Sequence, residues 1–311
     1  MRESKICAYA DILGYKNIVH RDLNGAIQLI ADYQEILRIK KDDEMMFKKQ
    51  YDKEDINLKT LFENSIIDSF DYFIPFSDCF FIIASNISKF IMQISNFFVE
   101  SFIISGYQYD DSHTKQRNDL LQISSKTKWY PLLFKGGVSF GECVPLKIHE
   151  ICESKLMIKY NLTGRAVSEA VHYQQIDKGP RLFCTRQFYN AIPNNDTGSK
   201  QIVIPVDHDE LYEILWPMPY VCREGINGYR KLLEMSVNLW LYFNHEDFGI
   251  VYFKLLELVI KSIFQTYKTD SIKLRESFDL IKSIFEKKSI AINKIDRLLE
   301  HYALITERVK K

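Results

Sequence analysis

Residues 6–15 read ICAYADILGY, and residues 70–84 read FDYFIPFSDCFFIIA. The first stretch is an apolar run that ends at Asp11 and is closed by Gly14, after which apolar residues recur at helical spacing. The second consists of two aromatic and β-branched runs around a polar tip that contains Asp78, the pattern of a buried hairpin. Together they predict a strand, a tight turn and a helix, followed by a hairpin.

Strand and helix patterns continue after the hairpin. A helical stripe of apolar residues runs from 90 to 104. LLFKGGVSFGECV (132–144) is predicted as a strand whose glycines mark bulges or the close approach of another backbone, which a nearby ligand could need. A glycine precedes the helical pattern in NLTGRAVSEAVHYQQI (161–176). Two further strands are predicted at GPRLFCT (179–185) and QIVIPV (201–206).

Beyond Trp216 the sequence contains helical patterns only. We therefore predict an α+β domain over residues 1–220 and a helical C-terminal module over residues 221–311. A charge-rich segment at 40–59 is predicted as a surface excursion and a polar segment at 107–128 as a loop. The four helical patterns of the module lie at 228–243, 248–267, 271–286 and 290–309.

The composition limits the classes of protein. The 311 residues are 46% hydrophobic and 26% charged, so the chain can bury a large core. Because 41 basic residues balance 41 acidic ones, no net charge steers the chain to nucleic acid or to an anionic membrane. Six scattered cysteines without a CxxC pair favour a reduced, cytoplasmic protein. The most hydrophobic stretch, 70–107, is interrupted by Asp78, Lys89 and Glu100 and is predicted not to span a membrane.

Asp11 and Asp78 are the candidate catalytic residues. By itself, each could be a turn or N-cap residue. If the strand at 6–10 pairs with the strand at 79–84, however, the two carboxylates come together and can bind a hard divalent cation, with nucleotide phosphates completing its shell. The turn between the first strand and helix would then offer backbone N–H groups to a polyphosphate. That turn consists of Ile12, Leu13, Gly14 and Tyr15.

The order of these motifs resembles the catalytic domain of class III nucleotide cyclases. The matching segments are DILGY, the Ser-Asp pair of the hairpin, KGGVSFGE, GRAVSEAVHY and GPRLF, and they cover roughly residues 5–206. PFSD, the paired glycines and GPR are most similar to the bacterial pyrimidine nucleotide cyclases of the Pycsar antiphage system. The resemblance implies a ferredoxin-like βαββαβ core, with the helical module as an extension outside it.

The resemblance also implies an activity. A nucleoside triphosphate would be converted to a 3′,5′-cyclic monophosphate and pyrophosphate, as a second messenger in antiphage defence. Asp11, Asp78 and the backbone carbonyl of Ile12 would bind two Mn²⁺ or Mg²⁺ ions. Because this family places metal residues of one subunit against base and phosphate residues of the other, the active unit is expected to be a homodimer.

Four positions depart from the purine cyclases of this family. Ile74 and Asn161 stand where those enzymes read the purine, so UTP is expected as substrate, with CTP second. Ser168 and His172 stand where they orient the ribose and neutralise phosphate charge. This leaves two alternatives open: a catalytically silent nucleotide-binding or interaction module, and a purine cyclase with a rearranged pocket. Candidates for the missing positive charge are Lys135, Arg165, Lys178 and Arg181.

Overall fold

The computed structural model describes residues 4–50, 63–109, 130–153, 155–206, 210–244 and 249–290. The strands are β1 Ser4–Ile12, β2 Phe70–Phe76, β3 Cys79–Ala84, β4 Phe134–Glu142, β5 Val144–Cys152, β6 Lys155–Thr163, β7 Leu182–Thr185, β8 Val203–Pro205 and β9 Leu211–Ile214. The helices are α1 Tyr15–Arg21, α2 Leu23–Gln50, α3 Ile87–Ser105, α4 Arg165–Gln174, α5 Arg186–Ala191, α6 Thr197–Ile202, α7 Met218–Phe243, α8 Gly249–Tyr267 and α9 Ser271–Lys287.

Seven strands form one mixed sheet in the order β2-β3-β1-β4-β7-β9-β8. β1 pairs antiparallel with both β3 and β4, and β4 pairs parallel with β7. The first four strands and the helices between them follow the ferredoxin-like βαββαβ arrangement, with β1 at the centre. The predicted α+β fold with a helical C-terminal region is therefore confirmed.

The central strand β1 has two unlike faces. Ile6, Ala8, Ala10 and Ile12 are at most 3% exposed and pack into a large core with α1, α2 and α3; we call this the closed face. Cys7, Tyr9 and Asp11 point the other way, toward α4, and we call this the open face. The alternation follows from the two-residue period of a strand. Asp11 thus lies on the side of the sheet that α4 covers.

Helix α3 is the apolar helix predicted at 90–104. The Asn86 side chain caps it by accepting from the Lys89 N–H, and Phe90 and Phe97 are buried on the closed face. Ile104 is 46% exposed, so its predicted place on the buried face is wrong; the packed face ends at Phe102. Among the described residues, α3 alone is long and apolar enough to cross a membrane. However, 61% of its most apolar 18-residue stretch is buried inside the protein, as in a core helix.

Helices α7, α8 and α9 occupy three of the four predicted helical patterns, and the fourth, apart from Ile290, lies outside the described residues. Leu232 of α7 and Leu255 of α8 are fully buried in the same continuous core as the sheet. Trp216, just before α7, packs its ring edge-on against Phe98 of α3 at 6.1 Å between ring centroids. The helical region therefore packs directly on the α+β core.

Two regions differ from the sequence-based expectation, and two predicted segments are described only in part. The charged segment after residue 40 continues α2 as far as Gln50, and residues 51–62 lie outside the description. Only 203–205 of the strand predicted at 201–206 is extended, because α6 occupies the residues before it. The hairpin of β5 and β6, which pair along their whole length, was not predicted. Most of the polar loop at 107–128 lies outside the described residues.

Candidate active site

The two candidate carboxylates come from neighbouring strand ends. Asp11 pairs with Cys79 across β1 and β3, which places it next to the turn that carries Asp78. The Ile12 N–H donates to the Asp78 backbone carbonyl at 2.8 Å, so the hairpin turn is tied to the end of β1. Ser77 adopts a left-handed conformation with φ of 53°, which turns the chain sharply enough for this contact. The pairing of strands expected from the sequence is present.

Asp11 is held asymmetrically. The Gln174 side-chain amide donates to Asp11 Oδ2 at 2.7 Å, and Lys135 Nζ lies 3.7 Å from the same oxygen. The other oxygen, Oδ1, is buried and has no hydrogen-bond partner among the residues that the structure describes. Burial, together with a smaller effect of the Asp78 charge, raises the pKa of Asp11 to about 6 against the lowering effects of Lys135 and Gln174. A buried carboxylate oxygen without a partner is costly unless a cation or a proton satisfies it.

The donor set fits a divalent cation that is completed by its substrate. Asp11 Oδ1 and the Asp78 carboxylate supply the hard oxygen ligands that Mg²⁺ and Mn²⁺ prefer. Within the described ranges, no cluster of three or more His, Cys, Asp or Glu side chains could hold a metal by itself. Two carboxylates plus phosphate oxygens is the arrangement by which Mg²⁺ is commonly held in nucleotide-dependent enzymes. The residues present therefore fit a metal-nucleotide site better than a metal cage built from protein alone.

The predicted phosphate-binding turn offers fewer N–H groups than expected. The Ile12 N–H is bonded to Asp78 and the Leu13 N–H to the Leu133 carbonyl at 2.8 Å, so these two groups are not available to a phosphate. Gly14 has φ of 77°, a left-handed value that favours glycine, and its carbonyl accepts from Asn17 and Ile18. The N–H groups of Gly14 and Tyr15 remain as candidates at the start of α1.

A strip of apolar side chains lies beside the carboxylates on the open face. Tyr9, Phe81 and Ile74 stand opposite one another across β1, β3 and β2, one step along the strands from Asp11. The rings of Tyr9 and Phe81 are 4.8 Å apart, and Ile74 is buried. Ile74 therefore belongs to an apolar strip next to the site.

The remaining predicted nucleotide-binding residues do not gather around Asp11. Asn161 is exposed at the end of β6, and its side-chain oxygen accepts from the Leu162 N–H at 2.7 Å. Arg165, Ser168 and His172 lie on the exposed side of α4. In the part of the chain that the structure describes, no hydrogen bond or ion pair links any of these four side chains to Asp11 or Asp78. Lys135 is the member of the predicted set that does contact Asp11.

Arg181 does not suit the phosphate-binding role considered for it. Its guanidinium forms two hydrogen bonds to Glu213, at 2.5 and 2.6 Å, and Glu213 is fully buried. A fork of this kind commits the guanidinium to the carboxylate. Arg165 is also paired, with Glu169 at 2.6 Å, but it is largely exposed. Lys178 is exposed at the surface.

Gln174 is the site residue that the sequence did not reveal. It is buried at the end of α4, and it reaches Asp11 because α4 lies directly on β4. A Cβ on Gly137 would lie 2.1 Å from the Ala170 carbonyl oxygen and 2.6 Å from the Gln174 nitrogen. The glycines of β4 therefore allow the backbone of α4 to approach the strand closely. The paired glycines predicted a close approach of some group, but they did not identify that group as α4.

Comparisons with known proteins add the following findings. No protein-family model matches the sequence, and no curated protein matches it. Among solved structures, the adenylyl cyclase CyaB from P. aeruginosa is similar with a TM-score of 0.39 and 14% identity, over 69% of this chain and 94% of that one. Adenylate cyclases from Trypanosoma brucei give 0.39 and 11%, over 68% and 90%. A dimeric guanylyl cyclase domain of the RhoGC fusion protein from the aquatic fungus Blastocladiella emersonii gives 0.38 and 13%, over 68% and 96%.

Proposed function

We propose that the protein is a nucleotide cyclase that converts UTP to 3′,5′-cyclic UMP and pyrophosphate. The observation that carries the proposal is the buried Asp11 Oδ1 without a partner, beside Asp78, at the junction of β1 and the hairpin. The motif order of the sequence supports the same reading. When bound, a divalent cation at these carboxylates would lower the pKa of the ribose 3′-hydroxyl and bind the triphosphate.

The residues around the site would have separate roles in binding the metal and the substrate. Asp11 and Asp78 supply the negative charge that attracts the metal-nucleotide, and Lys135, 3.7 Å from Asp11, limits the net charge of the pair. Gln174 fixes the carboxylate through Oδ2. The N–H groups of Gly14 and Tyr15, at the start of α1, would donate hydrogen bonds to phosphate oxygens. Together, these contacts would orient the α-phosphate for in-line attack by the 3′-oxygen.

The preference for pyrimidines rests on the apolar strip and on Asn161. Ile74 offers no charged donor to a purine, and it lies in a row with Phe81 and Tyr9. The Asn161 amide can donate and accept, which matches the O4 and N3–H edge of uracil and, after a flip, the edge of cytosine. UTP is therefore proposed first and CTP second. The messenger role in antiphage defence is proposed from the resemblance to the Pycsar cyclases.

The direct test is incubation of the full chain with equal UTP, CTP, ATP and GTP and with Mn²⁺, followed by mass spectrometry of the products. We expect cyclic UMP to predominate. A predominant cyclic CMP would replace UTP by CTP in the proposal. A predominant purine product would contradict the assignment of Ile74 and Asn161 and favour the purine cyclase with a rearranged pocket.

We also propose that the active unit is a homodimer. Four predicted binding residues are exposed and, within the described ranges, no hydrogen bond or ion pair joins them to Asp11 of the same chain, so they would be used by the site of a second copy: Asn161, Arg165, Ser168 and His172. The β5–β6 hairpin exposes a series of large apolar side chains, an exposure that soluble proteins usually cover with a partner. They include Ile151 at 76%, Leu156 at 68% and Ile158 at 63% exposure.

Mixing two inactive variants tests the shared site. Asp11→Ala removes the metal side and Asn161→Ala removes the base side, so a mixed dimer retains one complete site. Activity should return on mixing to roughly a quarter of the wild-type value when the subunits combine at random. Two inactive variants that stay inactive after subunit exchange, or a monomer that is fully active at nanomolar concentration, would contradict the dimer.

A silent cyclase fold is the second candidate. The observation that favours it is the exposure of Ser168 and His172 on α4, where the related enzymes carry an Asn and an Arg. Such a chain would bind a nucleoside triphosphate with Mn²⁺ and release it unchanged. Mass spectrometry distinguishes the two, because any cyclic product that depends on Asp11 excludes the silent module.

A further inference from the structure

The loop after α4 joins the candidate active site to the C-terminal helices. α4 ends at Gln174, whose amide donates to Asp11 Oδ2 at 2.7 Å. Three positions later, the Asp177 carboxylate accepts from the Gly179 N–H at 2.8 Å and forms an ion pair with Lys254 of α8. Gln174, which contacts the candidate metal ligand, thus lies only three residues before Asp177, which pairs with the helical extension.

Further contacts fix this loop to α8. A Cβ on Gly179 would lie 2.7 Å from the Lys254 Cβ, so the loop backbone lies directly against the helix. Arg181, at the end of the loop, is paired with the buried Glu213, which also accepts from Lys261 of α8 at 2.8 Å. Removal of one partner of such a buried pair leaves a charge unpaired at high cost. The loop is therefore held to α8 directly at Asp177 and, at Arg181, through the Glu213 carboxylate that Lys261 shares.

Helix α4 packs on the sheet through small side chains and through a hydrogen bond from Ser139 Oγ of β4 to the Glu169 carboxylate at 2.5 Å. Its buried apolar residues include Ala166 and Ala170, which are small, so they bury little apolar area. Its N-cap is Gly164, which makes no side-chain hydrogen bond to the first turn. At its C-terminal end, the contact that reaches β1 is the hydrogen bond from Gln174 to Asp11, so the residues that hold this end also affect that contact.

We propose that Gln174 is a positioning residue for Asp11, and that the helical extension controls this position through Lys254 and Asp177. The Gln174 amide occupies Oδ2 and leaves the unpartnered Oδ1 for a divalent cation. This inference rests on the metal site of the proposed function. It makes the extension a part of the metal-binding apparatus, so a signal that displaces α8 lowers metal affinity without touching either carboxylate.

The test measures Mn²⁺ binding by the full chain, without nucleotide, by electron paramagnetic resonance, alongside melting curves. Gln174→Leu keeps the size of the side chain and removes the donor, so Mn²⁺ affinity should fall about 10–100-fold. Lys254→Met should lower it by up to about 10-fold, and Lys254→Arg should restore it, because Arg can still pair with Asp177. Lys273→Met, which changes an exposed α9 lysine that pairs with Asp270, is the matched control and should bind Mn²⁺ like wild type.

The outcomes distinguish a failure of the inference from a failure of the proposed activity. An unchanged Mn²⁺ affinity in folded Gln174→Leu overturns the positioning role, and equal affinities in Lys254→Met and Lys273→Met overturn the control by the extension. If Gln174→Leu does not fold, the comparison of Lys254→Met with Lys254→Arg decides. Wild-type protein without Asp11-dependent Mn²⁺ binding overturns the inference together with the metal site. Mn²⁺ binding that depends on Asp11 and Gln174, without any cyclic product, supports the inference and removes only the proposed activity.

Discussion

On its closed face, β1 contributes only aliphatic side chains to a core that extends through α3 to the C-terminal helices. On its open face, the same strand contributes Cys7, Tyr9 and Asp11, and the buried cluster there is small. The two faces alternate residue by residue, so the local backbone is the same for both. The difference lies in what covers each face: a large apolar core covers the closed face, and a small cluster covers the open face, where we propose the active site.

The open face holds the buried Asp11 carboxylate at a cost in stability. Burial raises the pKa of Asp11 to about 6, so at neutral pH the folded protein holds a carboxylate in surroundings that favour its neutral form. A group in such surroundings lowers the stability of the native fold, so proteins retain it mainly where it has a function. For this reason, groups with strongly shifted pKa values cluster at functional sites. The closed face has no equivalent residue in β1.

The largest expected effect is the loss of catalysis when either carboxylate is removed. Asp11→Ala and Asp78→Ala should each lower turnover roughly 1000-fold or more, about 4 kcal/mol, because both serve the cation. Neither should lower the melting temperature, since neither side chain contributes to the closed-face core. Steady-state kinetics at saturating Mn²⁺, with melting curves, provide the check. Near-wild-type turnover in either variant would remove the two-carboxylate site.

A substitution on the closed face should do the reverse. Ile82→Ala empties a fully buried position of β3 and should lower the free energy of unfolding by about 2–5 kcal/mol. Activity per folded molecule should stay close to wild type. Phe81→Ala changes the next residue, on the open face, and should cost less stability because Phe81 is only partly buried. Urea denaturation of both variants tests the comparison, and a larger loss in Phe81→Ala would contradict it.

The contact between α4 and β4 should be sensitive to one methyl group. In Gly137→Ala, the new Cβ would meet backbone atoms of α4 at 2.1 and 2.6 Å, so the helix has to move away from the sheet. We expect a loss of about 1–3 kcal/mol in the free energy of unfolding and lower activity, because Gln174 moves away from Asp11. Gly141→Ala is the matched control, since its Cβ would meet Ala166 Cβ at an ordinary 3.8 Å. Equal effects of the two substitutions on unfolding and activity would contradict this account of the helix.

The smallest expected effect is a gain in stability. Because the folded-state pKa of Asp11 is raised above its unfolded value, folding favours the protonated form, and its contribution is lost as pH rises through about 6. Asp11→Asn, which stays neutral, should therefore be more stable than wild type by about 1–2 kcal/mol at pH 7.5 in EDTA, with a smaller gain at pH 5. Thermal unfolding at both pH values is the measurement. Asp279→Asn, at an exposed position of α9, should show little change at either pH, and a gain of the same size there would make the Asp11 effect nonspecific.

The elements predicted from the sequence are those with a strong local pattern. The β2–β3 hairpin and its polar tip follow from two β-branched runs around Ser77-Asp78, and the end of β1 follows from its apolar run. To bring the hairpin tip and the end of β1 together, we had to assume only that β1 pairs with β3. The sequence was therefore sufficient to predict Asp11 and Asp78 as a candidate pair, although their role in catalysis stays a prediction.

Residues whose role depends on distant partners could not be predicted in this way. Gln174 carries no pattern that distinguishes it from Gln175, because its contact with Asp11 spans 163 positions of the chain. Arg181 looked like a free cation until Glu213, 32 positions away, was placed beside it. Periodicity describes which side of an element is buried, and it contains no information on what lies against that side.

The most direct test of the central claim is the ratio of products in a single reaction. With UTP and Mn²⁺, a cyclase releases one pyrophosphate for each cyclic UMP, whereas a hydrolase releases phosphate or pyrophosphate with an open nucleotide. We predict equal amounts of cyclic UMP and pyrophosphate from the wild-type chain, and neither product from Asp11→Ala. Pyrophosphate accompanied by linear UMP, or a cyclic product that persists in Asp11→Ala, would contradict the proposal that the open face of β1 is a cyclase active site.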